Sequence, residues 1–425
     1  MASRFIKNSG TLLTGNVIAQ GIAFIAYVVL LRLFTPEDFG LCNVFFSYTE
    51  VLIILSTCKY EMAEVIAESD SEARALSRLA LRLNAAVSLL LLIIAGVLVL
   101  AQARPSGLPS SLLLLIPVLV FFTGTNRVYI FLCNRHRQYK QLAMGEVVSV
   151  VGGTVTRILF GLTAPLWQLL HTIGLPLGSV LGKVAGHFYL RHAALKTMNA
   201  QPSTSEPSIR SLTAKYKNFP LYVMPKELVS SFSANLPLMW LSVYFDKPLL
   251  GLFSLALTFT QRPVGVLANT FEKVFYENSA SKVAGRQPLW HDVRRFTLLL
   301  GGAALIVGTL AFLFAEPIFV FLFGNQWVGT GYYVRCLLPW MGVLVVTNSL
   351  AFVSNIFGTQ RVDFGMQVAQ LLLRIAALYI GIHQGSFQLA VLLFAAVSAV
   401  VQAAQLGWYL YQVHRYDNRL SEYSE

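Results

Sequence analysis

Charged side chains inside long apolar runs are the residues whose chemistry this sequence has to explain. Runs of about 20 mostly apolar residues, the length of a membrane span, contain six basic side chains, with Glu50 and Glu227 as the clear acids: Arg127, Arg157, Lys183, Lys226, Arg262 and Arg374. Burying six unpaired cations would cost on the order of 15–20 kcal/mol on insertion scales, more than the typical domain stability of about 5–15 kcal/mol. Most of these side chains must therefore face water, a bundle interior or a partner.

Six cations against two acids favour an anionic ligand. Fixed positive charges in a cleft of low dielectric concentrate anions, and guanidinium groups match phosphate oxygens well. Lys183, Arg157 and Arg374 lie deepest in their apolar runs. For these three we predict a water-filled cavity that binds a phosphate-bearing ligand, with a structural ion pair as the alternative.

The other intramembrane charges carry stronger structural alternatives. Arg127 and Lys226 lie nearer the predicted inner surface and could snorkel to it. Arg262 precedes Pro263, and a proline frees backbone groups that an arginine can bind. Glu50 is predicted to counter one of the cations, with binding of a coupling proton as the alternative. We therefore place Arg262, Arg127 and Lys226 second among the candidate ligand-binding residues.

Glycines at every fourth position accompany Lys183 along the sixth apolar run: Gly174, Gly178, Gly182 and Gly186. Such a stripe of small residues lets a neighbouring helix approach closely. Lys183 and His187 are four residues apart, one position around the helix from the stripe. The spacing predicts that the stripe packs while Lys183 and His187 face a cavity, although a single histidine is more often a packing residue.

The elements that hold these side chains follow from composition. The chain has 425 residues, 56% of them hydrophobic and only 12% charged, with a mean hydropathy of +0.62. Soluble domains carry about 25% charged residues, so a soluble or disordered chain is excluded. The sequence predicts an all-α polytopic membrane protein with twelve spans: 11–32, 39–58, 82–102, 110–132, 142–162, 171–190, 219–244, 248–271, 296–322, 330–355, 365–382 and 387–412.

Basic residues outside the spans set the orientation. With the N-terminus inside, 22 of the 32 Lys and Arg residues lie on the inner side. The outer side keeps four: Arg32, Arg104, Lys247 and Arg335. The positive-inside rule therefore predicts that both termini are cytoplasmic. Because the inner basic residues are spread over seven segments, the net charge of +12 does not indicate nucleic-acid binding.

A polar segment divides the predicted spans six and six. We predict an N-terminal six-helix bundle over 1–190, a cytoplasmic linker over 191–218 and a C-terminal six-helix bundle over 219–425. Lys7-Asn8 recurs as Lys217-Asn218. Six spans per half give both halves the same direction, which is typical of a parallel repeat in a transporter.

Residues 59–81, between the second and third spans, alternate apolar and acidic side chains at roughly helical spacing. This pattern predicts one short amphipathic helix on the inner membrane surface.

Several kinds of catalytic motif are absent from the sequence. Gly182-Lys183 resembles the end of a P-loop, but Val184 follows in place of Ser or Thr. H-E-x-x-H, G-x-S-x-G and paired cysteines do not occur either. We therefore predict a protein that is not an enzyme and that uses neither a metal ion nor another cofactor.

Short motifs in both halves resemble the Wzx-type polysaccharide flippases of the MOP superfamily, which also contains the MATE transporters. The resemblance covers nearly the whole chain and rests on the order and spacing of these motifs: Asn8-Ser9-Gly10, Leu31–Gly40, Lys59-Tyr60-Glu61, Lys217-Asn218-Phe219-Pro220, Phe323–Trp327 and Leu338-Pro339-Trp340.

The resemblance implies two six-helix bundles around a cation-lined central cavity. It implies translocation of an undecaprenyl-diphosphate-linked oligosaccharide to the outer leaflet of a bacterial inner membrane, by alternating access without ATP, for O-antigen, capsule or exopolysaccharide synthesis. Membrane lipids, a polysaccharide polymerase and a chain-length regulator are the implied partners. The candidate cations come from this sequence alone.

Two other functions remain open at this point. A MATE-like exporter of small organic cations would share the architecture but would require an acidic cavity. A membrane-bound polysaccharide polymerase would require a sizeable outer loop, and every predicted outer loop is short.

Overall fold

The computed structural model describes residues 25–103, 107–163, 168–198 and 208–422, and this part of the chain is almost entirely helical. It falls into two compact units that divide between Val243 and Tyr244. The first compact unit also includes the helix that follows the predicted linker, so the unit boundary differs from the predicted domain boundary at residue 219. The division into two six-helix bundles stays a prediction.

The first unit contains eight labelled helices, which follow helical residues 25–33: α1 (Pro36–Ser56), α2 (Tyr60–Ile66), α3 (Asp70–Leu100), α4 (Ser110–Arg135), α5 (Tyr139–Thr163), α6 (Gln168–Met198), α7 (Ile209–Lys215) and α8 (Met224–Tyr244). A short π-helical turn, Phe219–Val223, leads into α8.

The second unit contains six labelled helices: α9 (Lys247–Ala284), α10 (Trp290–Phe323), α11 (Thr330–Ser349), α12 (Phe352–Phe357), α13 (Gln360–His383) and α14 (Phe387–Glu422). A 3-10 turn, Asn325–Trp327, separates α10 from α11.

The all-α polytopic prediction is confirmed. Eight helices in the described part of the chain are long and apolar enough to cross a membrane, namely α1, α3, α4, α5, α10, α13 and most of α9 and α14. Helices α6 and α8 overlap two further predicted spans, whereas the predicted span 330–355 is divided between α11, which ends at Ser349, and α12, which begins at Phe352. Most of the first predicted span, 11–32, lies outside the described residues.

Several helices extend beyond the predicted spans because polar residues continue the helix past the apolar run. The predicted span 248–271 lies within α9, which ends at Ala284, and α14 continues from the predicted end at 412 to Glu422.

The prediction of one amphipathic helix over 59–81 is wrong. The short helix α2 ends at Ile66, and residues 70–81 form the first turns of the long helix α3. Ser69 causes the break, because its hydroxyl accepts the Glu72 backbone N–H at 3.2 Å and starts a new helix there. The Glu72 carboxylate accepts the Glu68 backbone N–H at 2.9 Å and completes the cap.

The glycine stripe on α6 packs against α5, as predicted. A Cβ atom added at Gly182 would lie 2.5 Å from the carbonyl oxygen of Ser149 and 2.7 Å from the Cα atom of Gly153. A Cβ atom at Gly186 would lie 2.9 Å from the Ser149 Cβ atom. Only glycine allows the two backbones to approach this closely.

The start of α10 is capped from a distant part of the second unit. The Asp417 carboxylate, on α14, accepts the backbone N–H groups of Leu289 at 2.9 Å and Trp290 at 2.8 Å. These donors have no partner within their own helix, so Asp417 satisfies them and complements the helix dipole.

Candidate functional site

The sixth helix of the first unit carries the candidate site on one edge. Ser179, Lys183 and His187 follow one another at intervals of four residues on α6 and therefore lie on the same side of the helix. This edge adjoins the glycine stripe that packs on α5. Side chains from α4 and α5 meet it, and we call the set Ser179, Lys183, His187, Asn126 and Arg157 the α6 edge.

Arg157 reaches the α6 edge from α5. Its Nη2 group donates a hydrogen bond to the Ser179 hydroxyl, which in turn donates to the Leu175 carbonyl at 2.9 Å. Gly178 makes room for this arginine, because a Cβ atom there would lie 2.4 Å from the Arg157 Cγ atom. The guanidinium is thus placed one helical turn from Lys183.

Asn126, on α4, holds the middle of the α6 edge. Its side-chain amide donates to the Lys183 carbonyl at 2.9 Å, and its amide oxygen lies 3.3 Å from the His187 Nδ1 atom. The asparagine uses the backbone of Lys183 and leaves the ammonium uncommitted. The half-buried Lys183 ammonium forms neither a hydrogen bond nor an ion pair with the described residues.

His187 is buried between aromatic rings. Its ring centroid lies 5.2 Å from that of Phe122 and 5.6 Å from that of Tyr129, both on α4. With one ring nitrogen at Asn126 and rings on two sides, the imidazole has the contacts of a packing residue. Its predicted role in ligand binding stays a prediction.

The remaining first-unit candidates lie away from the α6 edge contacts. Arg127 is half-buried on α4, beside Asn126, and Lys226 is exposed on α8. Glu50, on α1, is exposed and accepts a hydrogen bond from the Asn235 amide of α8 at 3.1 Å. Its observed partner is thus an amide rather than one of the predicted cations.

The second unit holds two of the predicted cations, in contrasting surroundings. Arg262 is exposed on α9. Arg374, on α13, is 4% exposed, and its Nε group donates to the Ser398 hydroxyl of α14 at 2.9 Å. The same guanidinium lies over the rings of Trp340 and Phe394, 4.9 and 4.6 Å from their centroids. These contacts satisfy the charge inside the unit by hydrogen bonding and cation–π attraction.

A second group of charges, at the predicted inner ends of the helices, forms ion pairs that the sequence did not reveal. Lys59 is paired with Glu227 of α8. Arg135 binds Asp70 at 3.0 Å, and its Nη1 group donates to the carbonyls of Glu64 and Ala67 at 3.0 and 2.7 Å.

The helix α7 is joined to α3 by a further pair at this end. Lys215 binds Glu72 at 2.7 Å and Glu68 at 3.0 Å. These carboxylates raise the pKa of Lys215 above its ordinary value by hydrogen bonding to the ammonium. The basic residues at this predicted inner end therefore hold helices together, a role separate from the orientation that the sequence predicts for them.

Sequence reasoning missed the neutral residues of the site. Asn126, Ser179 and Ser398 each orient a predicted cation or its helix, and none was identified from the sequence. The spacing of Ser179, Lys183 and His187 was a usable signal, since a polar residue one turn before a buried lysine marks the same helix edge.

The fold and this arrangement of charges define a class: a polytopic helical membrane protein with the architecture of a transporter. A lipid II flippase, MurJ, in an inward closed conformation has a TM-score of 0.74 and 11% identity, covering 96% of this chain and 90% of its own. A multidrug resistance MATE family transporter of the MOP superfamily has a TM-score of 0.68 and 13% identity, with 94% and 96% coverage. At these identities the similarity establishes the fold.

The sequence pattern of the polysaccharide biosynthesis protein family matches residues 29–332, and the chain belongs to that family. The succinoglycan biosynthesis transport protein ExoT of Rhizobium meliloti (strain 1021) is 23% identical over 412 residues, which are 94% of this chain and 78% of that protein. The resemblance to polysaccharide transporters of the MOP superfamily is thereby confirmed.

Proposed function

We propose that this protein moves a lipid-linked oligosaccharide from the inner to the outer leaflet of a bacterial inner membrane for polysaccharide synthesis. Membership of the polysaccharide biosynthesis family, the similarity to a transport protein of succinoglycan biosynthesis and the fold of a lipid II flippase support this substrate class. An undecaprenyl diphosphate is the carrier that we propose, with both termini of the protein in the cytoplasm. The chain supplies binding and conformational change, and no covalent catalysis.

The observation that carries the proposed binding site is the uncommitted ammonium of Lys183. It lies within a predicted span, is half-buried, and is unpaired among the described residues, whereas the nearby Arg157 guanidinium is held by Ser179. A cation kept in this state has a high cost unless it is solvated or meets an anion. A diphosphate would provide that anion. Arg157, one turn away, would provide a second contact if its guanidinium exchanged the hydrogen bond to Ser179 for one to a phosphate oxygen.

Arg127 is proposed as a further ligand because it follows Asn126 on α4, the helix whose Asn126 amide binds the Lys183 carbonyl. Arg374, Arg262 and Lys226 stay as proposed accessory ligands. Of these, Arg374 must release the ring contacts with Trp340 and Phe394 before its guanidinium can bind a phosphate.

Deletion of the gene, followed by extraction of lipid-linked intermediates, tests the function. We expect complete repeat units to accumulate on the inner leaflet and surface polysaccharide to disappear, with both restored by the wild-type chain. Normal surface polysaccharide in the deletion strain, with no other transporter of this family present, would exclude the proposal.

Lys183→Ala tests the site, with Lys140→Ala as the matched control because Lys140 is exposed at the predicted inner end of α5. A hydrogen bond to a charged group contributes about 1.5–3 kcal/mol, so transport by Lys183→Ala should fall about 10- to 100-fold. Lys183→Arg should retain most transport. Equal transport by Lys183→Ala and Lys140→Ala, at equal amounts in the membrane, would remove Lys183 from the site.

Export of small organic cations is the second candidate, favoured by the similarity to a MATE transporter fold. Cells that express the chain would then extrude cationic dyes. We expect no change in dye accumulation, because the proposed site carries positive charge and repels such cargo.

A further inference from the structure

An apolar groove runs along the second unit between α10 and α11. It has a volume of about 610 Å³, and fifteen residues line it, almost all with apolar side chains. Thr297, near the start of α10, lies at one end and Arg335 of α11 lies towards the other, and Leu406 of α14 also lines the groove. The groove belongs to one unit and is separate from the α6 edge.

The groove opens towards the membrane because α10 is scarcely packed. Only 6% of its most apolar 18-residue stretch is buried. Leu305, Leu313 and Phe312 line the groove and are themselves more than half exposed. Hydrocarbon, not water, is therefore the medium that enters it in a bilayer.

Three glycines form the groove floor: Gly301 and Gly308 on α10, and Gly342 on α11. A Cβ atom added at any of them would meet nothing within 4 Å. These glycines differ from those of the α6 stripe, where an added Cβ atom would strike the neighbouring helix. Their effect is to leave a channel in the surface.

Arg335 supplies the only charge among the groove-lining residues. Its Nε group donates to the Phe312 carbonyl at 2.9 Å, and its guanidinium carbon lies 5.6 Å from the centroid of the Phe312 ring. Both contacts are with one residue of α10, and the Nη donors have no further partner in the described part of the chain. The arrangement presents these donors at the predicted outer end of an apolar channel, where a phosphate could bind them.

The length of the groove limits its occupant. From Thr297 to Leu313, α10 rises about 24 Å, at 1.5 Å per residue. One leaflet contributes about half of the 30 Å hydrocarbon core, roughly 15 Å. An acyl chain that begins in the outer leaflet normally ends near the midplane. A chain that fills this groove from Arg335 to Thr297 must pass the midplane, as a long polyprenyl chain does.

We propose that the groove between α10 and α11 is a binding site for the polyprenyl chain of a lipid phosphate, with the phosphate at Arg335. The inference rests on the proposed function, because it gives the lipid carrier a site on the outer-leaflet side after translocation. The polyprenyl chain lies in the channel that the glycines leave open and contacts its apolar side chains, and Arg335 binds the phosphate and thereby fixes its depth in the membrane. The α6 edge would then bind the diphosphate during translocation, and this groove would bind the polyprenyl chain of the carrier after translocation.

Binding to the purified full-length protein tests the groove, with undecaprenyl phosphate as the probe and dioleoyl phosphatidylglycerol as competitor. Gly308→Leu combined with Gly342→Leu fills the channel without striking the backbone. Gly302→Leu is the matched control, because an added Cβ atom there also meets open space but the residue does not line the groove. Melting temperatures of all variants establish that they are folded.

We expect the double leucine variant to bind undecaprenyl phosphate at least about tenfold more weakly, a loss of roughly 1.4 kcal/mol, and Gly302→Leu to bind as the wild type does. Arg335→Gln should weaken binding of undecaprenyl phosphate but not of uncharged undecaprenol, whereas Arg335→Lys should retain part of the preference for the phosphate.

Two results would overturn the groove: unchanged binding by the double leucine variant, or displacement of the probe by phosphatidylglycerol at equal concentration. The second result would make it a site for ordinary membrane lipid. Failure of the wild-type chain to restore polysaccharide in the deletion strain would instead refute the proposed function. If the wild-type chain and the double leucine variant both restore polysaccharide fully, and the variant binds undecaprenyl phosphate as the wild type does, the groove proposal alone is refuted.

Discussion

Lys59 and Glu227 form an ion pair in which the two partners differ sharply in burial. The Lys59 side chain is 5% exposed, whereas that of Glu227 is 39% exposed. Cys58 and Lys59 both adopt left-handed backbone conformations, with φ of 50° and 62°, at the turn between α1 and α2. The turn therefore directs a lysine inward, where α8 supplies its counter-charge.

The difference in burial predicts unequal effects of the two single substitutions. Glu227→Gln leaves a buried ammonium without its counter-charge, and breaking a buried pair costs about 3–5 kcal/mol. Lys59→Met leaves a carboxylate that water can reach, so we expect a loss of about 1 kcal/mol, as for exposed pairs. Thermal unfolding in detergent measures which of the two substitutions lowers the stability more. A larger loss for Lys59→Met, or a double variant less stable than Glu227→Gln, would contradict this account.

Arg135 holds the end of α2 through donors that a lysine cannot replace. One guanidinium binds Asp70 and three carbonyls, from Glu64, Val65 and Ala67. Arg135→Lys should destabilise the first unit by about 1.5–3 kcal/mol, the contribution of a hydrogen bond to a charged group. Asp70→Asn is the comparison, and because Asp70 is mostly exposed it should cost less than about 1 kcal/mol. Equal effects in a melting experiment would show that the carbonyl contacts contribute little.

Glu64 should make stability depend on pH. Burial raises the pKa of its carboxyl well above the ordinary value, and neither carboxylate oxygen has a hydrogen-bond partner among the described residues. The pKa of Glu64 is higher in the folded than in the unfolded state. The protein is therefore spared the cost of burying this carboxylate below about pH 4.3, the usual pKa of glutamate, and its stability is greatest there with respect to Glu64. This stability is lost as the pH rises through the folded-state pKa.

Glu64→Gln removes this dependence, so its melting temperature should equal that of the wild type near pH 4 and exceed it increasingly towards pH 8. Glu68→Gln, at a mostly exposed carboxylate, is the control and should show little change of this kind. A constant difference between Glu64→Gln and wild type at all pH values would refute the burial argument.

Gly182→Ala should separate α5 from α6. The added methyl group would lie 2.5 Å from one backbone atom and 2.7 Å from another, and backbone cannot rotate away as a side chain can. Overpacking of this kind costs about 1–3 kcal/mol. Gly302→Ala, on the open face of α10, should leave the melting temperature unchanged or slightly higher, because alanine favours helix by about 1 kcal/mol over glycine. Similar behaviour of the two variants would mean that α5 and α6 can move apart freely.

Arg374 allows a structural role to be distinguished from a ligand-binding one. Arg374→Lys loses the Ser398 bond and the planar contact with Trp340 and Phe394. A desolvated cation–π contact contributes about 2 kcal/mol, so we expect a clear fall in melting temperature. Lys183→Ala should instead lower transport and leave melting unchanged. A stable Arg374→Lys variant that no longer transports would assign Arg374 to the ligand.

The helical architecture was predictable because membrane burial leaves a strong, local signal in the sequence. Runs of apolar residues indicate the spans, and the regular glycine spacing indicates that α6 packs closely on another helix, which the structure shows to be α5. The boundary at Ser69 was not identified, because a helix cap depends on hydrogen bonds between Ser69, Glu68 and Glu72 that a hydropathy pattern does not contain.

The partners of the charged residues were less predictable than their positions. Hydropathy places Arg374 within a span and predicts a water-filled cavity around it, whereas the fold shows that Ser398 and two aromatic rings enclose the guanidinium. Lys59 lies between two predicted spans, where a basic residue indicates orientation and nothing in the sequence indicates its ion-pair partner in α8. Contacts between residues far apart in the chain require the tertiary structure.

The cap that Asp417 provides for α10 has a consequence for biosynthesis. Asp417 follows Trp290 by 127 residues, so the ribosome has delivered α10 to the membrane long before its cap exists. Until α14 is synthesised, the first backbone donors of α10 must be satisfied by water or by membrane headgroups. A nascent chain arrested before residue 417 should therefore be a recognisable client for membrane chaperones and quality-control proteases, and folding of the second unit is completed only late in translation.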